Sequence, residues 1–572
     1  MKTMKKLFAL LLAVLMVMGM ATTAMADDIT ITINDTNANR RYVAYQVFTG
    51  DLDHATGILS NVEWGSSVNG NTLIDALKAA EASLFVKDAT SSTPNPFASV
   101  TTAESVAKAM NGWGYNEAPI KNFADIVSNC LADDAKYYPS GTVNGDTVTW
   151  QTSGSYKITV DKPGYYLIKD VSDPEYNTTG YTDYLMFLTN NVNVNPKVSA
   201  PTFHLTVSNR IDSGFGDAID AQINDTLYLK FSGTLPTASF NDYHQYFIRY
   251  NITLPDWLAI PSPKETAVNI RHANGDAVVA ESSRYTVEYG TNTITFSTMN
   301  LKDGSSKMNL NDTLEFVVAV KFAQNDALVY GKNNNNNDLG NLVSATMFYS
   351  GDPNQKLSTG ETIENVRMAK LSDDASVYTY QGVFKKVDGA SKEALAGAEF
   401  RLYRNVTTST SGGDVTNTYY AIVEKESASA ATYRITGWTQ NSADASIKMI
   451  TPDGAANTKG IFIVKGLDGV AYHLEETKAP EKYSKLDESV PYSITAEFTG
   501  QTLTSLSGNI DGVSLGSNMD TGTINEAAIN NTLGNVLPTT GGIGTTIFYI
   551  VGGVLVLGAG AAFVMKRRNE EA

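Results

Sequence analysis

The C-terminal end of this chain restricts its fold more than any other segment. Leu537-Pro538-Thr539-Thr540-Gly541 is followed by an uncharged run of 23 residues, Ile543 to Met565, and then by Lys566-Arg567-Arg568. As a helix the run would span about 34 Å, which is enough to cross a bilayer core of roughly 30 Å. Basic residues after such a helix remain in the cytoplasm. We therefore predict that residues 537–572 anchor the chain in a membrane.

The N-terminal end is also typical of a secreted protein. Lys2, Lys5 and Lys6 precede an apolar stretch, Leu7–Met20, and Ala24-Met25-Ala26 supplies the small residues of a cleavage site. This order predicts a signal peptide over residues 1–26, with cleavage between Ala26 and Asp27. Neither end is then part of the folded protein.

The composition of the remaining residues, about 510 of them, predicts several domains without disulfides. The net charge of −17 argues against nucleic acid as a partner. The single cysteine, Cys130, excludes an intrachain disulfide. Because apolar residues surround it at helical spacing, we predict a buried core thiol rather than a nucleophile.

Hydrophobic periodicity predicts an all-β protein of tandem immunoglobulin-like β-sandwich domains. The first domain, 27–197, begins with alternating strands and carries a helical insertion from about Thr72 to Tyr138, where Thr101-Thr102-Ala103-Glu104 resembles a capping box. Two further strand-rich domains are predicted at 198–375 and 376–536. The predicted strands that test this interpretation are Thr147–Trp150, Tyr156–Val160, Tyr165–Lys169, Thr226–Phe231, Phe247–Leu254, Tyr285–Phe296, Thr313–Phe322 and Ser344–Tyr349.

No enzyme signature is present in the sequence. The five histidines are scattered without metal-ligand spacing, and there is no phosphate-binding loop, no GxSxG elbow and no Cys/His pair. We therefore predict no enzyme with turnover, no metal site and no cofactor.

One segment of the third domain combines strand alternation with an acidic residue. In Tyr472-His473-Leu474-Glu475-Glu476-Thr477-Lys478-Ala479-Pro480, Tyr472, Leu474 and Glu476 point to the same face. A lone buried carboxylate is costly unless it is neutral or paired. The alternative is a glutamate at a strand end that turns out to solvent.

These residues resemble the E-box of Gram-positive sortase-assembled pilins. Lys386, in Phe384-Lys385-Lys386-Val387, resembles the first-strand lysine of their Cna B-type domains, and Asn531 resembles the last-strand asparagine. The resemblance implies an intramolecular isopeptide bond between Lys386 and Asn531, with Glu476 as the catalytic acid. Burial disfavours the charged forms of amine and carboxyl groups, which suits such a reaction. Strand alternation places Lys385 and Asn530 on the opposite face.

The C-terminal anchor resembles the cell-wall sorting signal of the same proteins. That resemblance implies that a sortase cuts between Thr540 and Gly541 and transfers the Thr540 carboxyl group to an amine. Asn195-Pro196-Lys197 resembles the pilin motif, which makes Lys197 the acceptor amine, although Asn195 replaces the usual aromatic residue. The alternatives are a linker lysine at 197 and an ordinary anchor with an accidental LPTTG.

The second domain departs from the resemblance. Related pilins carry a Cna A-type domain there, with a reactive lysine, aspartate and asparagine. Alignment by eye places Leu205 or Thr206, Asn251 and Val343 at these positions. The second domain is therefore predicted to lack an isopeptide bond.

The resemblance implies a structural function, the backbone subunit of a covalently polymerised pilus. The implied partners are other copies of the chain through Thr540–Lys197 links, pilus and housekeeping sortases, peptidoglycan and a possible host surface ligand. The implied location is the cell wall. The alternative is a wall-anchored adhesin that never polymerises and binds a host protein or glycan. Lys197 distinguishes the two, because only polymerisation needs it.

Overall fold

The protein is mostly β-structure in the computed structural model, which confirms the predicted fold class. The structure describes residues 29–35, 40–53, 56, 58–86, 90, 92–113, 118–132, 155–171, 183–195, 200–236, 240–304, 307–323, 328–332, 339–353, 357, 363, 366, 368–410, 413–427, 431–534 and 543–570. The predicted signal peptide with its cleavage site Ala26–Asp27, the predicted strand Thr147–Trp150, Lys197 and the pentapeptide 537–541 lie outside these ranges.

In its described residues, the first region contains two sheets and three α-helices. Its strands are β1 (Ile29–Ile33), β2 (Tyr42–Asp53), β3 (Ile58–Trp64), β4 (Tyr156–Val160), β5 (Gly164–Asp170), β6 (Asp183–Leu188) and β7 (Val192–Val194), and its helices are α1 (Gly70–Ala79), α2 (Ala103–Ala109) and α3 (Ala118–Ser128). The sheets have the strand orders β4-β1-β7 and β3-β2-β5-β6. The helices fall between β3 and β4, where the helical insertion is predicted.

The four-stranded sheet of the first region is buried on both faces. Alternate residues of β2, such as Ala44, pack with β1 and β4 in one apolar core, whereas Val43 and Val47 pack against the helices in another. Cys130 belongs to the helical core and is buried, as predicted, and burial raises the pKa of its thiol.

A buried ion pair in the first region joins a residue just before β2 to the end of β5. The Arg40 guanidinium, which is fully buried just before β2, contacts the Asp170 carboxylate at the end of β5, and its Nε lies 3.6 Å from Asp35 Oδ2. Removing one partner of such a pair leaves a buried charge, which typically costs about 3–5 kcal/mol.

The capping box of α2 lies one residue later than predicted. Thr102 is the N-cap, its hydroxyl accepts from the Ser105 N–H, and Ser105 Oγ accepts from the Thr102 N–H. Both Thr101 and Thr102 can cap a helix, but only Thr102 has its hydrogen-bonding partner three residues later.

The second region is a sandwich of two six-stranded sheets. Its strands are β8 (His204–Ser208), β9 (Ala218–Asp220), β10 (Thr226–Thr234), β11 (Ile248–Thr253), β12 (Leu258–Ala259), β13 (Thr266–Arg271), β14 (Ala277–Val279), β15 (Tyr285–Tyr289), β16 (Thr293–Thr298), β17 (Thr313–Phe322), β18 (Asn341–Ser350) and β19 (Met368–Tyr378). The sheet orders are β14-β13-β17-β10-β8, with β12 on β17, and β15-β16-β11-β18-β19-β9. Strand β19 runs three residues past the predicted domain end at 375, and the predicted strand Tyr285–Phe296 is a hairpin that turns at Gly290.

A twelve-stranded sheet forms the third region. Its strands are β20 (Tyr380–Asp388), β21 (Glu399–Thr410), β22 (Gly413–Lys425), β23 (Thr432–Thr439), β24 (Met449–Ile450), β25 (Ile461–Leu467), β26 (Ala471–Lys478), β27 (Val490–Thr499), β28 (Thr502–Ile510), β29 (Val513–Leu515), β30 (Ser517–Asn518) and β31 (Thr523–Asn531). The order is β29-β28-β27-β26-β21-β22-β23-β25-β20-β31-β30, with β24 on β21. The first strand, β20, therefore pairs with the last long strand, β31.

The chain separates into two compact units and ends in a long helix. One unit contains the described residues up to Tyr380 together with Ala496–Leu506 and Met519–Gly522, and the other contains the rest. Helix α4 spans Ile543–Glu570, and its segment Thr546–Arg568 is long and apolar enough to cross a membrane, as predicted.

Candidate cross-link site

Strands β20 and β31 run parallel and place Lys386 and Asn531 at the same end of the sheet. In their register Lys386 lies opposite Ile529, and Asp388 lies opposite Asn531. Lys386 is fully buried and Asn531 is 1% exposed. Alternation along a strand turns neighbouring side chains to opposite faces. Lys385 accordingly lies on the other face.

Strand β26 brings Glu476 to the same buried place. The strand alternates, so that Tyr472, Leu474 and Glu476 are buried while Glu475 faces outward. Glu475 accepts two hydrogen bonds from the Arg401 guanidinium, at 2.7 and 2.9 Å. The sequence thus contains two adjacent glutamates with different environments, and the one predicted from alternation is the one inside.

The three predicted side chains contact one another. Lys386 Nζ donates to Asn531 Oδ1 at 2.6 Å and lies 3.3 Å from Glu476 Oε1. Asn531 Nδ2 donates to Glu476 Oε1 at 3.1 Å and to Oε2 at 3.3 Å. An amine, a carboxamide and a carboxyl group thus form a closed triangle that excludes solvent.

The surroundings of this triangle favour a neutral amine. Burial lowers the pKa of Lys386 to about 8, against the opposing attraction of Glu476. Phe400, opposite Glu476 across the β21–β26 pair, lies with its ring centroid 5.7 Å from Lys386 Nζ. Phe384 and Phe400 both stack on Phe462, at 5.2 and 5.4 Å. A neutral amine next to a carboxamide in an apolar site can act as a nucleophile.

A second Lys–Asn pair lies nearby in a different environment. Lys392 Nζ donates to Asn530 Oδ1 at 2.9 Å, but this pair is exposed. It has the same two functional groups as the buried pair without burial. Lys392 was not predicted as a site residue.

Backbone groups that sequence reasoning missed complete the site. The Leu486 N–H donates to Glu476 Oε2 at 2.9 Å, and the Ser484 N–H donates to the Thr532 carbonyl at 3.0 Å. A main-chain donor has no side-chain signature, so neither contact could be predicted from residue types. The only sequence signal was their position, shortly after Ala479-Pro480.

In the second region, the residues aligned by eye with reactive groups do not form a comparable site. Leu205 and Val343 are fully buried in the apolar core. Asn251 and Thr206 alternate away from it, since the neighbours Tyr250 and Leu205 are the buried residues. The prediction that this region lacks a cross-link remains a prediction.

The motif proposed to supply the acceptor lysine is described only at its first residue. Asn195 Oδ1 accepts from Asn34 Nδ2 at 3.0 Å, just after β7. In the described part of the chain, no three His, Cys, Asp or Glu side chains are grouped so that they could hold a metal ion.

Comparison with known proteins identifies two segments that contribute side chains to this triangle. Residues 381–508 match the SpaA family, a prealbumin-like fold domain, and residues 530–572 match the LPXTG cell wall anchor motif. Residues 381–508 form a SpaA domain. The SpaA domain thus contributes Lys386 and Glu476, and the match to the anchor motif begins one residue before Asn531.

Further comparisons find similarity to a surface protein and to solved pilins. The trypsin-resistant surface T6 protein of Streptococcus pyogenes serotype M6 is 29% identical over 308 residues, which cover 47% of this chain and 52% of the relative. The chain thus spans about half the length of that relative. The solved T6 backbone pilin of the same organism has a TM-score of 0.46 at 15% identity, covering 90% of this chain and all of that one. The major pilin SpaD of Corynebacterium diphtheriae has a TM-score of 0.42 at 14% identity, covering 89% and 98%.

These findings confirm the resemblance predicted from the E-box and the sorting signal. The SpaA domain and the anchor motif match at the predicted places, and the T6 protein is a relative. The anchor motif also places the chain at the cell wall.

Proposed function

We propose that this chain is the backbone subunit of a covalently polymerised pilus anchored in the cell wall. The observation that carries the proposal is the buried triangle in which Lys386 and Glu476 of the SpaA match meet Asn531, near the start of the match to the LPXTG anchor motif. A subunit in a covalent fibre bears tension through its own fold. A bond that ties the first strand of its last domain to the last strand would keep that domain closed.

The proposed internal reaction is a single condensation. Lys386 Nζ attacks Asn531 Cγ, a new Nζ–Cγ amide bond forms, and the Cγ–Nδ2 bond breaks. Glu476 accepts a proton from Nζ and gives one to Nδ2, which leaves as ammonia. No oxidant, metal or second enzyme is needed, and Glu476 ends in its starting protonation state.

The bond would close a loop whose ends are separated by 145 residues. By the chain-entropy argument developed for disulfides, such a loop adds about 5 kcal/mol of stability. The chain contains a single cysteine, so this amide would replace the disulfides of many other extracellular domains.

The proposed polymerisation joins Thr540 of one copy to Lys197 of the next. A sortase cuts the Thr540–Gly541 bond, and the Lys197 amine takes the threonine carbonyl as an amide. This contact is heterologous and open, because its two partners lie at different places on the chain, so repetition yields a fibre. Sortases, peptidoglycan and further copies of the chain are the proposed partners.

A blot of cell-wall extracts under denaturing conditions tests this function. Wild-type chain should give a ladder of SDS-resistant bands, and Lys197→Ala should leave only wall-attached monomer. Lys157→Ala is the matched control, because Lys157 is an exposed lysine of β4 in the same region. A wild-type chain that gives only monomer would instead support a non-polymerising adhesin, and an unchanged ladder from Lys197→Ala would move the acceptor to another lysine.

A further inference from the structure

A segment of five residues that follows strand β26 contacts both Glu476 and the chain next to Asn531. We call residues 482–486 the clasp. Its N-terminal half pairs with the chain just beyond Asn531: the Ser484 N–H donates to Thr532 O at 3.0 Å, and the Gly534 N–H donates to Lys482 O at 2.9 Å. Its C-terminal residue, Leu486, donates its N–H to Glu476 Oε2 at 2.9 Å.

The clasp distinguishes the two oxygens of Glu476. Oε2 accepts the Leu486 N–H, and its distance to Asn531 Nδ2 is the longer one, 3.3 Å. Oε1 lies 3.1 Å from Asn531 Nδ2 and 3.3 Å from Lys386 Nζ. Oε1 therefore lies within reach of both the nitrogen that must lose a proton and the nitrogen that must gain one.

We propose that the Leu486 amide is a positioning group that assigns the proton transfer to Glu476 Oε1. The inference rests on the proposed cross-link and specifies how its acid is oriented. With Oε2 held as an acceptor, Oε1 takes the proton that Lys386 Nζ loses when the Nζ–Cγ bond forms. Oε1 then delivers a proton to Asn531 Nδ2, the Cγ–Nδ2 bond breaks, and ammonia leaves with no net change at Glu476.

An amide-to-ester exchange tests the role of the Leu486 N–H without altering any side chain. The full chain is prepared unfolded, refolded, sampled over time, and digested to quantify the Lys386–Asn531 linked peptide. Replacing Leu486 by its α-hydroxy acid removes the N–H donor and also makes the Lys485 carbonyl a weaker acceptor, while every side chain stays the same. We expect the linked peptide to form about 10- to 100-fold more slowly, the factor that corresponds to losing a hydrogen bond to a charged group.

Two matched variants separate positioning from packing. Leu486→Ala keeps the N–H and shortens the side chain, and an ester at Lys485 removes a donor for which the described part of the chain provides no acceptor. Both should react within about twofold of wild type, since single changes at such sites are mild. A Leu486 ester that reacts as fast as wild type, or a Leu486→Ala chain as slow as the ester, would overturn the proposal. A wild type that never forms the linked peptide would refute the cross-link itself.

Hydrogen exchange gives an answer even where an ester chain fails to fold. In the unlinked Lys386→Ala chain, the Leu486 amide should exchange slowly, and in Glu476→Ala it should exchange at least about tenfold faster because its acceptor is gone. Equal exchange in the two chains would contradict the contact on which the proposal depends.

Discussion

The second and third regions are both β-structures, but their interiors are stabilised differently. The second region has a large apolar core, with Leu205, Phe231, Phe316 and Val343 buried between two sheets. The interior of the third region contains a buried amine, carboxyl and carboxamide that hydrogen-bond to one another. Each buried polar group there depends on its partners, because an unsatisfied one costs about 1–3 kcal/mol.

The two regions differ in whether these positions bring together the groups that an isopeptide bond requires. In the second region, Leu205 and Val343 are apolar and buried, while Thr206 and Asn251 alternate away from the core, so these aligned positions bring no amine to a carboxamide. In the third region, strand pairing brings Lys386 and Asn531 together before any reaction. A fold that already orients the nucleophile and the electrophile removes much of the entropic cost of the reaction.

Loss of the acid should have the largest effect and would erase the difference between the two regions. Glu476→Ala should restore the mass of the ammonia, about 17 Da, and remove the roughly 5 kcal/mol that the closed loop contributes. Intact-mass spectrometry and thermal unfolding measure both. Glu475→Ala is the matched control, because its side chain lies on the outer face of the same strand. If Glu475→Ala and Glu476→Ala lose the bond equally, the buried position of the acid is not what matters.

A cavity in the second region should lower the free energy of unfolding by less than loss of the cross-link does, and it should leave the mass deficit of one ammonia unchanged. Leu205→Ala removes a fully buried side chain from the apolar core and should destabilise the protein by about 2–5 kcal/mol. Thr206→Ala, on the opposite face, should change stability by about 0.5 kcal/mol or less. Denaturant unfolding gives these values. A loss of ammonia mapped by peptide analysis to residues 204–378 would contradict the prediction that the second domain lacks an isopeptide bond.

If Lys386 is not cross-linked, its buried amine should make the stability of the protein depend on pH. Burial lowers the Lys386 pKa to about 8 from an ordinary value of 10.5, so the unfolded chain binds more protons between these values. The unlinked Glu476→Gln protein also lacks the carboxylate that opposes this lowering, so it should gain stability as pH rises towards 10.5, by roughly 1 kcal/mol per unit relative to wild type. In a cross-linked wild type the amine is an amide and does not titrate. Parallel pH profiles for the two proteins would show that Lys386 is not free and buried in the variant.

The exposed Lys392–Asn530 pair should give the smallest effect. Exposed polar pairs contribute little, so Lys392→Ala should change the free energy of unfolding by about 0.5 kcal/mol or less. The mass of the chain should still be lower by one ammonia. A Lys392–Asn530 linked peptide would mean that burial and a neighbouring acid are unnecessary for the reaction.

Strand alternation and the family resemblance predicted the side chains of the site. The period of two in β26 separated Glu476 from Glu475, and the same period separated Lys386 from Lys385. The Leu486 amide could not be predicted, because every residue except proline has an N–H and its direction depends on the folded loop.

The fold likewise contains elements that hydrophobic periodicity predicts and contacts that no local sequence pattern indicates. The helical insertion of the first region and helix α4 follow from hydrophobic periodicity, and both were predicted. The hairpin between β15 and β16 was read as one strand, although Gly290 and Asn292 are turn residues that could have signalled it. The buried Arg40–Asp170 pair joins residues 130 positions apart, and no local pattern indicates such a contact.

Peptide mapping of the mature wild-type chain tests the central claim most directly. Proteolysis followed by mass spectrometry should yield one branched peptide in which Lys386 is joined to Asn531, lighter by one ammonia than the sum of its two parts. Full sequence mass with Lys386 and Asn531 recovered on separate, unmodified peptides would contradict the account.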